Sequence, residues 1–297
     1  MDKFITYRAN LLRIVLTASK KISKRLSNIN MKLKECSNKD TYKLYGELLT
    51  TYLYMLPKQN IAFIELENYY DNNNIIKIPL DSKVLPSQNA KQYFKKYNKL
   101  KKALNIVSIQ KKETEKEIEY LETIVYELDS ATTMSDLESI NEEIRENVLF
   151  KDLPTQASTK IVSKKKNSTY RPSKRMLESK YNLGEPITYT VNGYTVYVGK
   201  NNKQNDYLTT KFAKPYDYWF HTQDIHGSHV ILQTNSDDID IDTINAVAKI
   251  AALHSKASNS SNVPVDYTLA KYVKKPSGAK PGKVIYTNYK TTNVQPK

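Results

Sequence analysis

Apolar residues recur at alternating steps of three and four along two stretches of the chain. Leu12, Val15, Ser19, Ile22, Leu26, Ile29 and Leu33 share one face of the first. Tyr93, Tyr97, Leu100, Leu104, Val107, Lys111, Thr114, Ile118, Leu121, Val125 and Leu128 share one face of the second. Heptad seams of this kind predict two long helices, the second roughly 54 Å long at 1.5 Å per residue. Because one chain carries both, the pattern predicts an antiparallel coiled-coil stalk, with a parallel homodimer as the competing arrangement and a monomer favoured. If Leu33 faces Tyr97, Ser19 lies opposite Lys111, and polar residues at matching core positions fix a register.

The segment between the seams breaks the heptad. Asp40–Leu56 predicts a helix with Tyr42, Leu44, Tyr45, Leu48, Leu49, Tyr52 and Leu53 on its apolar side, ended by Pro57. Ile61–Tyr69 and Ile75–Ile78 predict short strands around the turn-forming run 71–74. Ser87 is placed to cap the second long helix. Residues 40–86 thus form a small α/β knob at the stalk tip. A further helix near Met134–Val148, with Leu137, Ile140, Ile144 and Val148 inward, packs back at the stalk base.

Residues 151–180, rich in Ser, Thr and Lys, predict a flexible basic linker. After it the period changes to two. Ile187–Val191 and Tyr194–Val198 flank Asn192-Gly193, a two-residue hairpin signal. Tyr216–Thr222, His229–Thr234, Val265–Val273 and Lys283–Asn288 predict more strands. One helix interrupts them, with Ile244, Val247, Ala248 and Ala251 on one face behind Asp240 and Asp242. The expected fold class is α+β and multidomain: a stalk with its tip subdomain over residues 1–150, the linker, and an α+β domain with a mainly antiparallel sheet over 181–297.

Charge sharpens this division. The 297 residues carry a formal net charge of +15, of which residues 1–150 hold +4 and residues 151–297 hold +11. Locally, residues 83–112 contain nine lysines and no acid, whereas residues 113–146 contain twelve acids and two basic residues. One cysteine, Cys36, excludes an internal disulfide framework and a multi-cysteine zinc cluster. No run of about 18 apolar residues is present, and the N-terminus lacks a secretory pattern, so a cytoplasmic setting is expected.

Candidate chemistry is concentrated in the second half. His221, His226, His229 and His254 fall within 34 residues. They suggest a zinc site, but they lie on separate elements and no H-E-x-x-H pattern occurs. A hydrolase using His221 lacks a nucleophile, since Ser228 sits in no nucleophile elbow. The stretch Gly199–Leu232 is more informative. Lys200, Lys203 and Lys211 suit phosphates, Asn201 and Asn205 suit base edges, and Trp219 with His221 and His229 supplies ring faces, the components of single-stranded nucleic-acid binding. The bland alternative makes Trp219 core and the asparagines turn residues. A second basic cluster, Lys271, Lys274 and Lys275, flanks residues 276–279.

The order G-K-N-N-x-Q-N-D from Gly199, D-x-W-F-H from Asp217 and G-S-H-V-I from Gly227 resembles the RNA-binding domain of the NFACT family. Tyr45-Gly46-Glu47-Leu48-Leu49, the run 78–97 from Ile78-Pro79-Leu80-Asp81 to Tyr97, Lys274-Lys275-Pro276 and Pro281-Gly282 are similar to further family segments, in order along nearly the whole chain. The resemblance implies a ribosome-associated quality-control factor. Such a protein binds tRNA and the large ribosomal subunit with its rRNA, where an obstructed peptidyl-tRNA remains, and supports C-terminal alanine tailing. It implies ribosome contact through Lys95, Lys96, Lys99, Lys101 and Lys102, no catalytic residue, no cofactor and no metal. The family's N-terminal domain and helix-hairpin-helix region have no counterpart here. This implies either a fragment beginning near the stalk with Met1 added, the favoured alternative, or a truncated family member; tailing is not expected from the chain alone. The rival is a fibronectin-binding surface adhesin, a name some bacterial members carry; the sequence shows no wall-sorting tail or β-zipper repeat to support it.

Overall fold

The computed structural model describes residues 2–56, 61–149, 184–234, 236 and 238–296. The expected linker and its lysines, and Pro57, lie outside the described residues. The chain forms two compact units, Lys20–Ile118, and Met1–Ser19 together with Glu119–Lys297. Among the described residues no helix is long and apolar enough to cross a membrane.

Within residues 20–118, helix α1 (Lys3–Ser37) and helix α3 (Pro86–Ser130) supply the two arms of an antiparallel hairpin. Ile22, Leu26, Ile29, Leu33 and Cys36 are buried or half-buried on α1, as are Tyr93, Tyr97, Leu100, Leu104, Val107, Lys111, Thr114 and Ile118 on α3. The seams therefore face inward as their period requires. Their register is not the expected one: matching Leu33 with Tyr97 would put Arg25 level with Asn105, but Arg25 pairs with Glu117. The ion pair, rather than the polar residues Ser19 and Lys111, marks the alignment. At the start of α3, Gln88 and Asn89 donate backbone N–H bonds to the Leu85 carbonyl. Pro86 thus occupies the first helical position, where its missing N–H is harmless, and Ser87 is inside the helix rather than its cap.

Helix α2 (Lys39–Thr51) and the hairpin of β1 (Phe63–Asn68) and β2 (Asn74–Pro79) form the knob. Leu48, Leu49, Leu66, Ile78, Leu80 and Ala90 make its core. Asn72 and Asn73 take the left-handed backbone conformation that the reversal between strands demands. Asn89, 3% exposed, holds the chain entering α3: its Oδ1 accepts from the Asp81 N–H at 2.8 Å.

The second unit contains α4 (Met134–Ile144), which begins with a reciprocal capping box between Thr133 and Asp136. Beyond the undescribed segment, β3 (Ile187–Val191) and β4 (Tyr194–Val198) turn through Asn192 and Gly193, both at positive φ, as a type I′ hairpin requires. The remaining elements are α5 (Asn202–Tyr207), β5 (Tyr218–Thr222), β6 (Val230–Gln233), α6 (Ile241–Leu253), β7 (Val263–Leu269), β8 (Val273–Lys274), β9 (Ile285–Tyr286) and β10 (Lys290–Val294). Six strands form one antiparallel sheet in the order β10-β7-β5-β6-β4-β3, and β8 and β9 form a separate ribbon. The expected strand Lys283–Asn288 contracts to β9, and the sheet edge is instead β10, whose Thr291 and Thr292 are its β-branched signal.

Both faces of the central strands are covered. Phe220, Val230 and Leu232 point toward Val247, Ala248 and Ala251 of α6. Their neighbours Trp219 and Ile231 point the opposite way, onto Leu208, Phe212 and Tyr286. Alternation along each strand sends successive side chains to opposite faces, which is why Tyr-Trp-Phe and Val-Ile-Leu are apolar without a break. Replacing the fully buried Leu232 by Ala should destabilise the protein by about 2–5 kcal/mol, read by urea unfolding with the single Trp219 as fluorescent probe.

Candidate nucleic-acid interface

Helix α5 is short, and side chains define it more than apolar period does. Asn201 caps it, its Oδ1 accepting from the Gln204 N–H at 2.9 Å, while Gln204 Oε1 accepts from the Lys200 N–H at 2.9 Å. Asn205 Oδ1 accepts from the His229 N–H at 3.0 Å, fastening the helix to β6. Gly199 is forced by this arrangement, since a Cβ there would stand 2.1 Å from Asn205 Oδ1.

The same helix joins the sheet domain to α4 and the last turns of α3. Asn202 is the centre of that joint. Its backbone N–H donates to Glu127 Oε1 at 2.5 Å, and its side-chain nitrogen donates to Glu143 Oε1 at 3.1 Å and Thr123 Oγ1 at 2.9 Å. Tyr120 donates its hydroxyl to Glu143 at 2.7 Å, and Asn201 Nδ2 donates to Ser139 at 3.2 Å. Glu127 and Glu143 are 4% and 0% exposed, and the second oxygen of each lacks a hydrogen-bond partner among the described residues. Burial, then mutual repulsion, pushes the Glu127 carboxyl well above the usual range. Burial also raises Glu143, partly offset by the bonds from Tyr120 and Asn202. Two adjacent carboxyls of this kind cannot both ionise without repulsion in a poorly solvated site.

Around this centre the charges are opposed. Lys200 meets Asp136 at 3.5 Å, Lys203 meets Glu142 at 3.6 Å and Glu146 at 3.1 Å, and Lys283 meets Glu119 at 2.6 Å. Lys280 donates to Asn147 Oδ1 at 3.0 Å, and His226 stands 3.1 Å from Glu122. The acidic run 113–146 is thus the partner of the domain's own basic residues at this joint, rather than only a solvated face.

The residues expected to contact RNA therefore separate into groups. Lys200 and Lys203 are paired with carboxylates, and Asn201 and Asn205 are buried structural residues. Lys275 pairs with Asp206, whose other oxygen accepts from the Gly282 N–H at 3.0 Å. Trp219 is 1% exposed, so its indole offers no open face to a base. His229 is buried against Thr209, its Nδ1 2.7 Å from the hydroxyl, and His221 packs beside it with ring centroids 5.5 Å apart. Burial pushes His221 down to about 4 and His229 down to about 3, so both rings are neutral at pH 7. His254 contacts the Tyr189 hydroxyl at 2.8 Å. Among the described residues, no group of histidines and carboxylates has the arrangement of a metal site. Lys211, Lys271 and Lys274 stay exposed, and none of the three makes an ion pair with a described residue.

In the other unit, Lys95, Lys96, Lys99, Lys101 and Lys102 are all exposed on α3. Lys91, Lys95, Lys99 and Lys102 line one shallow groove with Phe94 and Asn98, a spacing of about one turn each. Lys96 lies 4.1 Å from the centroid of the Tyr42 ring. A row of like charges without acids between them repels itself, and a polyanion relieves that repulsion.

An α+β protein pairing a lysine-lined helical hairpin with an antiparallel sheet domain of basic surface has the anatomy of an RNA-binding adaptor. Comparison with known proteins gives that anatomy a family. Residues 1–166 match the NFACT N-terminal and middle domains, and residues 186–288 match the NFACT protein RNA binding domain. The chain belongs to the NFACT family. It is 40% identical over 296 residues to the Rqc2 homolog RqcH of Bacillus subtilis (strain 168), covering 99% of this chain and 48% of that protein. It is 36% identical over 297 residues to the Rqc2 homolog RqcH of Streptococcus suis (strain 05ZYH33), covering 99% and 49%. The chain thus spans about half the length of these curated relatives. Among solved structures, the C-terminal part of the fibronectin/fibrinogen-binding protein from Streptococcus suis is similar with a TM-score of 0.67 at 29% identity, over 100% of this chain and 96% of that one.

Two outcomes are expected at the joint. Gly199→Ala should lower stability by about 1–3 kcal/mol, measured as a fall in the urea midpoint, because backbone or Asn205 must yield. Carboxyls whose folded pKa is raised stabilise the fold below their unfolded pKa and lose that contribution as pH rises through the folded value. Wild type should therefore lose stability relative to Glu127→Gln as pH rises from about 5 to 8, followed by thermal melts of both proteins in parallel. A constant difference between them would mean that Glu127 does not titrate in this window.

Proposed function

We propose that this chain is the RNA- and ribosome-gripping portion of a ribosome-associated quality-control factor. In this reading the sheet domain holds tRNA, and the lysine row on α3 holds rRNA of a large ribosomal subunit that retains an obstructed peptidyl-tRNA. The chain supports C-terminal alanine tailing by binding and orientation. It makes no covalent intermediate, and peptide transfer stays with ribosomal RNA. Its place of action is the cytoplasm. The observation that carries the reading is the match of residues 186–288 to an RNA-binding domain on a fold that leaves several lysines exposed and without a carboxylate partner among the described residues.

The test is binding of the full chain to tRNA and to random duplex DNA, titrated across salt. Tighter tRNA binding that survives physiological salt is expected. Equal binding to both, abolished by salt, would reduce the protein to a polycation and overturn the reading. Replacing Lys95, Lys96 and Lys99 together by Ala should reduce co-sedimentation with large ribosomal subunits severalfold while sparing tRNA binding. The opposite pattern would reverse the roles of the two units.

A second reading has one observation behind it, the similarity over the whole chain to a fibronectin/fibrinogen-binding protein. In that reading the exposed lysines bind an acidic matrix protein by charge. Surface biotinylation of intact cells separates the two, because an adhesin must label.

A further inference from the structure

Hydrogen bonds bring three separate segments of the sheet domain side by side. Ala270 donates its N–H to the Asp217 carbonyl at 2.8 Å, and Lys271 donates to the Pro215 carbonyl at 3.4 Å. Thr287 donates to the Tyr272 carbonyl at 3.3 Å. The turn 214–217, the segment 270–274 and the turn 287–289 thereby adjoin. On them stand Lys214, Tyr216, Lys271, Tyr272, Lys274 and Tyr289. Lys271 Nζ lies 5.3 Å from the Tyr216 ring centroid and 5.2 Å from that of Tyr272. Tyr216 is 53% exposed and Tyr289 is 48% exposed, so both rings are open to a partner.

The electrostatics of this surface differ from those of the joint. Lys214, Lys271 and Lys274 are exposed, and none makes an ion pair with a described residue. Asp217, just before β5, and Asp266, in the middle of β7, are turned inward with 0% and 1% exposure. Asp217 accepts from the Lys214 and Thr234 N–H groups at 2.7 and 2.9 Å, and Asp266 accepts from the Tyr286 and Thr291 hydroxyls at 2.8 and 2.7 Å. Their oxygens are occupied, so the cations are left for a partner. Interleaved cations and open ring faces suit a chain with phosphates and unstacked bases. A duplex would meet the lysines alone, because its base faces are covered.

We infer that Lys214, Tyr216, Lys271, Tyr272, Lys274 and Tyr289 form a platform for single-stranded RNA, with the lysines on phosphates and Tyr216 and Tyr289 stacked on unpaired bases. This rests on the RNA-binding reading above and specifies its surface. The probes are a fluorescein-labelled single-stranded RNA of about twelve nucleotides, near the span of one such binding surface, and an RNA duplex of equal length, each titrated with the full chain across salt. Tyr216→Leu should weaken single-strand binding by roughly fivefold or more, the loss of one stacked base, with duplex binding and the salt slope unchanged. Lys271→Ala combined with Lys274→Ala should weaken both complexes and reduce the single-strand slope by about 0.7 per lost phosphate contact. All these side chains are surface groups, so Trp219 fluorescence and the melting temperature should match wild type and confirm folding. If Tyr216→Leu binds the single strand as wild type does, or the lysine pair leaves the slope intact, while tRNA still binds, the platform is wrong and the RNA reading stands. If the unaltered chain binds no RNA, both fall together.

Discussion

Asn202 holds two buried carboxyls at the point where the sheet domain meets α4 and the end of α3, and the rest of that unit is arranged around the contact. A carboxylate taken from water must be compensated by hydrogen bonds or by a proton. Here one residue supplies a backbone donor to Glu127 and a side-chain donor to Glu143, while Tyr120 supplies a third bond. The geometry is demanding. The Asn201 cap sets the backbone direction, Gly199 allows Asn205 to pass close behind it, and Gly282 lies so near Asn202 that a Cβ there would stand 2.3 Å from its Oδ1. Three glycine- and asparagine-rich positions that look like loop in the sequence are thus fixed by a single joint. Its rim is a ring of ion pairs. Pairs of that exposed type contribute little each, so the buried centre, not their number, accounts for the specificity of the contact.

The long helices were legible because one repeat governs them. Every seam position named on α3 is buried or half-buried in the structure, from Tyr93 to Leu128. What the repeat could not carry was a second buried face. From Tyr120 onward, Tyr120, Ile124 and Glu127 are buried beside the seam; α4 supplies Glu143 to Tyr120 and the sheet domain supplies Asn202 to Glu127. A glutamate at a buried position has no hydropathy signal, and only its partner Asn202, 75 residues away, explains it. Register was lost for a related reason. Heptads are self-similar, so shifting one arm by a repeat preserves the apolar match, and the long-range pair Arg25–Glu117 decides among the alternatives.

Helix α5 was illegible to periodicity, since six residues of N-K-Q-N-D-Y contain no apolar stripe. The capping residue Asn201 was the available signal. Its amides suit base edges equally well in the sequence, because both roles use the same donors and acceptors. Trp219 presented the reverse ambiguity. An indole serves equally as stacking surface and as core, and alternation decides between them once Phe220 is placed on the α6 side. Edge strand β10 was missed because its residues are polar, as an edge that faces water on one side permits.

The charge of the second half cannot be read as one electrostatic quantity. Its lysines divide by partner: Lys200, Lys203 and Lys283 face carboxylates on α3 and α4, Lys275 faces Asp206, and Lys214, Lys271 and Lys274 face solvent. Only cations that exchange counterions for phosphates contribute to the salt dependence of RNA binding. Lysines already neutralised by protein carboxylates release none unless that contact opens. A measured slope therefore counts the second group rather than the formal charge. The acidic run of α3 and α4 has the consequence of limiting how much of a strongly basic domain is available to any polyanion, and of deciding on which face it is available.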